Sequence, residues 1–175
     1  PMTVTGINVP AGGNATIIYE ASVNQNAPLA VESEITNTAT ITGGGITPIR
    51  VPETIGAASA PNLNITKSVS PVPVTENGTL TYTFVIQNFG NAAANAATGA
   101  VIRDTFDPVL SNLTVTFNGT AWTDPTEYTY DETTGVFATA AGGITVPAAT
   151  YTQDPVTGAW ITSPGVSTLI VSGTI

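Results

Sequence analysis

One strand-like stretch of this chain places a lysine where an apolar residue is expected. The stretch NLNITKSVSP, residues 62–71, contains Lys67, the only lysine in the sequence. Successive side chains of a strand point to opposite faces, so alternate positions form two sets. The largely apolar set is Leu63, Ile65, Lys67 and Val69. The pattern therefore predicts that the lysine ammonium group points toward a core.

Two further polar residues fall in apolar phases of other strand-like stretches. Asn37 alternates with apolar residues in EITNTATIT, and Asp104 does so in AVIRDTF. A polar group buried without a hydrogen-bond partner costs roughly 2–7 kcal/mol. We therefore expect Lys67, Asn37 and Asp104 to meet one another.

A lysine, an asparagine and an aspartic acid that meet in a core can form an amide crosslink. Burial favours the neutral forms of an amine and of a carboxylic acid. The neutral Lys67 amine can attack the side-chain carbonyl of Asn37, while protonated Asp104 polarises that carbonyl and shuttles protons, so that ammonia leaves. The alternative is structural: Lys67 reaches from a strand end to pair with Asp104, and Asn37 satisfies backbone groups at a sheet edge. The residues alone leave both interpretations open.

The elements that must position these residues are strands. Short alternating runs rich in Val, Ile, Thr, Tyr and Phe recur about every 8 to 12 residues, which is typical of a β-sandwich. They include MTVTGINV and ATIIYEASV near the start and STLIVSGTI at the end, and no stretch has sustained helical periodicity. The predicted fold class is all-β, with a β-sandwich as its core.

A proline- and alanine-rich stretch divides the strand-rich sequence into two parts. We predict a linker at residues 48–60, within PIRVPETIGAASAPN, because prolines and small residues are frequent in linkers. Residues 1–47 are too few to bury a sandwich core, whereas residues 61–175 are numerous enough.

Composition excludes several classes of function. The chain has neither Cys nor His, so it can hold no disulfide and no Ser-His or Cys-His nucleophile pair. Twelve acidic residues against three basic ones give a net charge of -9, which disfavours nucleic acid as a partner. No apolar run approaches the roughly 18 residues of a membrane span. We expect no cofactor and no enzyme activity beyond a single-turnover self-crosslink.

Two other groups of residues are candidates for binding. Asp124, Glu127 and Asp131 lie in an acidic stretch whose oxygen ligands suit calcium, although a solvated turn is the more frequent meaning of such a stretch. Trp122 and Trp160 are candidate ligand-binding residues that could stack on sugars, although tryptophans of a sandwich more often anchor its core or rim.

Several motifs of the chain resemble one known family. TKSVSP, TYTFVIQNFGN and the D-T-F before a proline resemble the opening of a DUF-eleven type repeat, a module of bacterial surface proteins. ITNTATITGG, residues 35–44, resembles the strand that closes such a module. The resemblance implies an Ig-like sandwich, an extracellular location on a bacterial surface or appendage, and a role in adhesion or structure.

The order of the motifs implies incomplete modules. In the family the lysine strand opens a module and the asparagine strand closes it, yet here Asn37 precedes Lys67. Residues 1–47 therefore resemble the end of one module and residues 61–175 the start of another.

Two arrangements satisfy this order. Either the first part supplies donor strands to a neighbouring copy and builds a head-to-tail filament, or both parts fold together as a permuted module. We expect a subunit that polymerises with copies of itself into a filament. The alternative is a surface adhesin that displays a glycan- or protein-binding site.

Overall fold

A computed structural model describes residues 2–24, 27 and 34–175 of the chain. These residues are all-β apart from a short 3-10 turn at Ala96–Thr98, which confirms the predicted fold class. The first two strands, β1 (Glu34–Gly43) and β2 (Ile46–Gly56), form an antiparallel hairpin around a glycine turn. Every residue of this hairpin is exposed.

Strand β2 corrects the predicted linker at residues 48–60. Residues 48–56 belong to the strand, and its register pairs Pro52 with Thr38 of β1. Proline is tolerated in a strand that has a neighbour on one side only, because its missing N–H can then face away from the ladder. Only residues 57–62 connect the hairpin to the next strand.

The stretches MTVTGINV and ATIIYEASV, predicted to be strands, are assigned to no strand. Residues 2–24 are exposed throughout. Alternating apolar residues give a segment one apolar face, but a β-strand also needs hydrogen bonds to a neighbouring strand. Sequence periodicity does not show whether such a neighbour exists.

The remaining strands build the sandwich and a side hairpin. In chain order they are β3 (Leu63–Ser70), β4 (Thr79–Asn88), β5 (Arg103–Thr105), β6 (Ser111–Phe117), β7 (Thr120–Trp122), β8 (Tyr128–Tyr130), β9 (Val136–Thr139), β10 (Thr150–Gln153), β11 (Trp160–Ser163) and β12 (Gly165–Thr174). One sheet has the order β3-β4-β12-β6-β7 and the other has the order β5-β9-β8, while β10 and β11 pair with each other.

The strand order of the five-stranded sheet is consistent with an Ig-like sandwich. When the strands are lettered along the chain with β5 as C, the order β3-β4-β12-β6 becomes the A-B-E-D sheet of an immunoglobulin constant-type domain. Strands β8 and β9, which lie between D and E in the chain, complete the facing sheet with β5, while β10 and β11 form a separate hairpin. The strand that carries Lys67 is therefore the A strand, at one edge of its sheet.

The core lies between the two sheets and is dominated by aromatic side chains. Phe106, next to β5, stacks on Tyr82 of β4 with ring centroids 4.7 Å apart. Phe137 of β9 lies 5.6 Å from Phe106 and is fully buried. Alternate residues of β4 and β12 are buried, as the period of two for an amphipathic strand requires.

Strand β3 is left largely uncovered, because a three-stranded sheet faces a five-stranded one. Its apolar residues Leu63, Ile65 and Val69 are 38%, 47% and 39% exposed. Leu63 and Ile65 line an open cleft of about 180 Å³ together with Ile102 and Ile144 from the far side of the sandwich. The alternate residues of β3 predicted to point toward a core do so, but the core is open to solvent at this edge.

A buried asparagine fixes how the chain enters the sandwich. Asn88 is fully buried, and its side-chain oxygen accepts hydrogen bonds from the backbone N–H groups of Asn62 and Gly90, both at 2.9 Å. Its amide nitrogen donates to the carbonyl oxygens of Ala92 and Pro147, at 2.7 and 2.9 Å.

Gly90 allows the entering backbone to come close to this asparagine. A Cβ atom at Gly90 would lie 2.2 Å from the carbonyl oxygen of Ala60. Asn91 adds two hydrogen bonds, because its side chain accepts from Ala60 N and donates to Ala58 O. The motif NFGN therefore holds the connecting segment against the sandwich.

Replacing Asn88 by aspartate tests this arrangement. The substitution keeps the shape but turns a donor of two hydrogen bonds into an oxygen that faces two carbonyl oxygens. We expect the free energy of unfolding to fall by about 3–5 kcal/mol in urea denaturation. The matched control Gln87→Glu, on the outer face of the same strand, is expected to change it by less than about 1 kcal/mol. Equal effects of the two variants would contradict the assigned role of Asn88.

Candidate functional site

Lys67 lies at the open edge of the sandwich and reaches toward the core. Strand β3 pairs Lys67 with Phe84 of β4, and the strand phase directs the side chain to the inner face. Its ammonium nitrogen lies 4.6 Å from the ring centroid of Tyr82 and 5.5 Å from that of Phe106. Both distances are within the range of a cation-π interaction. The side chain of Lys67 is still 39% exposed, so it is half-buried rather than enclosed.

Asp104 meets this lysine from the opposite sheet. Its carboxylate atom Oδ2 forms an ion pair with Lys67 Nζ, and its side chain is 18% exposed. The Oδ2 atom itself is buried and has no further hydrogen-bond partner. The other oxygen, Oδ1, accepts a hydrogen bond from the backbone N–H of Thr105 at 2.9 Å. The predicted meeting of Lys67 and Asp104 is thus present in the structure.

This ion pair also orients the two open edges of the sandwich. Strand β3 is the outer strand of the five-stranded sheet, and β5 is the outer strand of the three-stranded sheet. Because Lys67 and Asp104 connect them, both free edges lie on the same side. An added strand or hairpin at this side would cover the ion pair and the half-exposed residues of β3.

Asn37 does not join Lys67 and Asp104 within one chain, and a meeting of the three residues across neighbouring subunits stays a prediction. Asn37 lies on β1 of the exposed hairpin, and its amide nitrogen donates a hydrogen bond to the Tyr19 hydroxyl at 2.6 Å. The physical reason is that the hairpin packs against no strand of the sandwich deeply enough to be buried. The asparagine and the lysine are on separate surfaces.

The hairpin is amphipathic, and Asn37 lies on its apolar face. Cross-strand partners share a face, and the register pairs Ile35 with Ile55, Asn37 with Glu53, Ala39 with Val51 and Ile41 with Ile49. The opposite face is hydroxyl-rich, as the hydrogen bond of 3.0 Å between the Thr36 and Thr54 side chains shows.

Glu53 is the residue that the sequence reasoning missed. It is the cross-strand partner of Asn37 and the second polar group among the apolar residues of this face. The alternation Ile49, Val51, Glu53, Ile55 carried the signal. It was hidden because these residues were assigned to a linker, where strand phase has no meaning.

The candidate calcium ligands serve as turn-capping residues. In the part of the chain that the structure describes, no three His, Cys, Asp or Glu side chains are close enough to hold a metal ion. The Glu127 carboxylate accepts hydrogen bonds from the backbone and hydroxyl groups of Thr123, and these bonds hold its pKa below the usual value. The backbone N–H of Thr133 lowers the pKa of Asp131 in the same way. Asp124 accepts a longer bond, 3.3 Å, from Tyr130 N.

The two tryptophans occupy different environments. Trp122 is half-buried and packs against the core, with its ring centroid 4.9 Å from that of Phe117. This placement is that of a rim anchor rather than of an exposed stacking platform. Trp160 is partly buried at the start of β11, where its register partner is Gln153.

Comparisons with known proteins give no relative for this chain. No family model matches it, and neither the curated proteins nor the solved structures contain a significant match. The resemblance to the DUF-eleven repeat therefore stays a prediction. Within residues 2–24, 27 and 34–175, no helix is long and apolar enough to cross a membrane.

A double-mutant cycle tests the ion pair between the two sheets. Lys67→Met and Asp104→Asn each remove one charge, and we expect a coupling energy of about 1 kcal/mol from the unfolding free energies of the four proteins. The half-exposed position of Lys67 limits the value, because solvent screens the pair. The control cycle combines Lys67→Met with Asp154→Asn, whose carboxylate caps its own turn, and should give a coupling near zero. Equal coupling in both cycles would contradict a specific pair.

Proposed function

We propose that this chain is a structural subunit of an extracellular bacterial surface filament. In this proposal residues 1–56 of one subunit complete the open sandwich of the next. One observation carries it: the chain exposes an apolar hairpin face without a core and, separately, a sandwich edge without a cover. The extracellular location is supported by the resemblance to surface repeats and by the style of the chain, which is rich in threonine, poor in lysine and free of cysteine.

The hairpin face and the sandwich edge are similar in chemistry, because each carries apolar residues around one polar pair. The hairpin offers Ile35, Ala39, Ile41, Ile49, Val51 and Ile55 around one polar pair. The sandwich edge offers Leu63, Ile65 and Val69 around another polar pair, Lys67 and Asp104. Free strand edges on β3 and β5 add unpaired backbone groups, which a donor strand can satisfy by β-augmentation.

Such a contact propagates instead of closing. The donor surface and the acceptor surface are different parts of the chain, so the interface is heterologous. Each subunit that receives a hairpin still presents its own hairpin to another copy. A linear polymer follows unless the rotation between subunits closes a ring.

The energy of this contact explains why a covalent bond would be useful. Burying the apolar residues of the hairpin face stabilises the contact by on the order of 10 kcal/mol. Association costs an estimated 4–15 kcal/mol in lost freedom. The two figures are similar, so the non-covalent polymer is marginal. In the proposal, an amide bond between Lys67 and Asn37 of neighbouring subunits makes it permanent.

A pair of adjacent substitutions tests the acceptor edge. Ile65→Asp places a carboxylate on the half-exposed inner face of β3, so we expect it to abolish polymers of the full-length chain in sedimentation velocity. Thr66→Asp places the same charge on the outer face of the same strand and should leave polymerisation unchanged. Polymers that persist in Ile65→Asp at the wild-type level would contradict complementation at this edge.

Intact mass and denaturing electrophoresis test the crosslink. Each Lys67–Asn37 bond removes the mass of one ammonia molecule, and bonds between subunits give a ladder that survives boiling in detergent. We expect both signals in the wild-type chain and neither in Lys67→Met. Ammonia loss without a ladder would show the permuted closure within one chain. Unmodified mass in an assembled polymer would contradict the bond.

A further inference from the structure

We infer that Glu53 is the second carboxyl group of the crosslinking centre, the base that takes the first proton from Lys67 of the neighbouring subunit. The inference rests on the proposed function, and it deepens that proposal by assigning a residue that neither the motifs nor the resemblance indicated. It is carried by the register of the hairpin and by the ion pair at the sandwich edge.

The register places Glu53 beside the amide that reacts. Glu53 and Asn37 are direct cross-strand partners in the middle of the apolar face, with Ile35 and Ile55 on one side and Ala39 and Val51 on the other. Cβ atoms of directly opposite residues in an antiparallel pair lie about 4.5–5.5 Å apart. A group that contacts the Asn37 amide therefore also comes within reach of the Glu53 carboxylate.

Glu53 is a charged residue among the apolar residues of this face. Its neighbours along β2 on that face are Val51 and Ile55, which offer no hydrogen bonds from their side chains. A carboxylate in the centre of a surface that becomes buried needs a partner of opposite charge. On the acceptor edge, the cation in the corresponding apolar phase is Lys67.

The charges explain why two carboxyl groups are needed. In the free subunit Asp104 is committed to the Lys67 ammonium as an ion pair. While it is ionised it cannot donate a hydrogen bond to the carbonyl oxygen of Asn37. Docking adds a second carboxylate to the ion pair, and in the proposed reaction one proton from water enters with it and neutralises the added charge. Asp104 then holds this proton and polarises the carbonyl.

The reaction balances with these groups alone. Glu53 takes one proton from the Lys67 ammonium, and the resulting amine attacks Cγ of Asn37, which forms the Nζ–Cγ bond. Asp104 donates its proton to the departing amide nitrogen and recovers one from Nζ, while the Cγ–Nδ2 bond breaks. Ammonia leaves and carries away the Glu53 proton as ammonium. No oxidant or cofactor is required.

The experiment compares assembly and bond formation in the full-length chain. Glu53→Gln retains the shape and polarity of the side chain but cannot accept the proton. We measure the detergent-resistant ladder relative to the polymer present in sedimentation velocity, and we expect this bond formation per polymer to be about 100-fold slower or worse than in the wild type. The control Glu34→Gln lies on the hydroxyl-rich face of the same hairpin and should match the wild type in both measurements. Glu53→Asp keeps a carboxyl group and should form the bond faster than Glu53→Gln.

The outcomes separate this inference from the proposed function. Wild-type ladder formation at an unchanged rate in Glu53→Gln would overturn the role of Glu53 and leave the filament intact. Equal rates of bond formation per polymer in Glu53→Asp and Glu53→Gln would overturn it as well. A wild-type chain that stays monomeric in sedimentation velocity would instead overturn the filament itself.

Discussion

A sheet of three strands cannot cover a sheet of five, and the rest of this structure depends on that mismatch. The aromatic core packs where the sheets overlap, between β4, β12 and the three-stranded sheet. Where the overlap ends, the inward-pointing apolar side chains of β3 are half-exposed, although the strand pairs with β4 along its whole length. Strand β3 is thus paired on one side only, and at this edge both its outer backbone groups and its apolar side chains are incompletely covered.

The position of Lys67 follows from this imbalance. A lysine in a closed core would have to be fully desolvated, which is unfavourable without an excellent partner. At the open edge its ammonium group lies over aromatic rings and against Asp104 while part of the side chain remains in water. The free subunit can thus hold the ion pair in advance. The Asn37 amide lies on another surface, so in the proposed filament the amine and the amide would stay apart until two subunits meet.

The connection between the two surfaces is short and fixed at one end. Residues 57–62 separate β2 from β3, and the NFGN segment binds the latter part of this connection through Asn88, Gly90 and Asn91. In the proposed filament, such a connection limits how one subunit can tilt against the next. Stiffness would then come from the hydrogen bonds of two asparagine side chains, Asn88 and Asn91, rather than from a large interface between folded domains.

The sequence by itself determined the all-β class, the inward phase of Lys67 and the facing of Lys67 and Asp104, because alternation and the need to pair buried charges are local rules. Only the tertiary structure decided that β2 is a strand, that Glu53 is the partner of Asn37, and that Asn88 holds the chain entry. Each of these depends on which backbone lies beside which. From the local sequence, the prolines at residues 48 and 52 indicate a linker, whereas in the fold this segment pairs with β1. Asn88 is read from the sequence as the end of a strand, whereas in the fold its side chain forms hydrogen bonds with four separate backbone groups. Pairing between distant segments is set by the packing of the whole chain, and no local pattern encodes it.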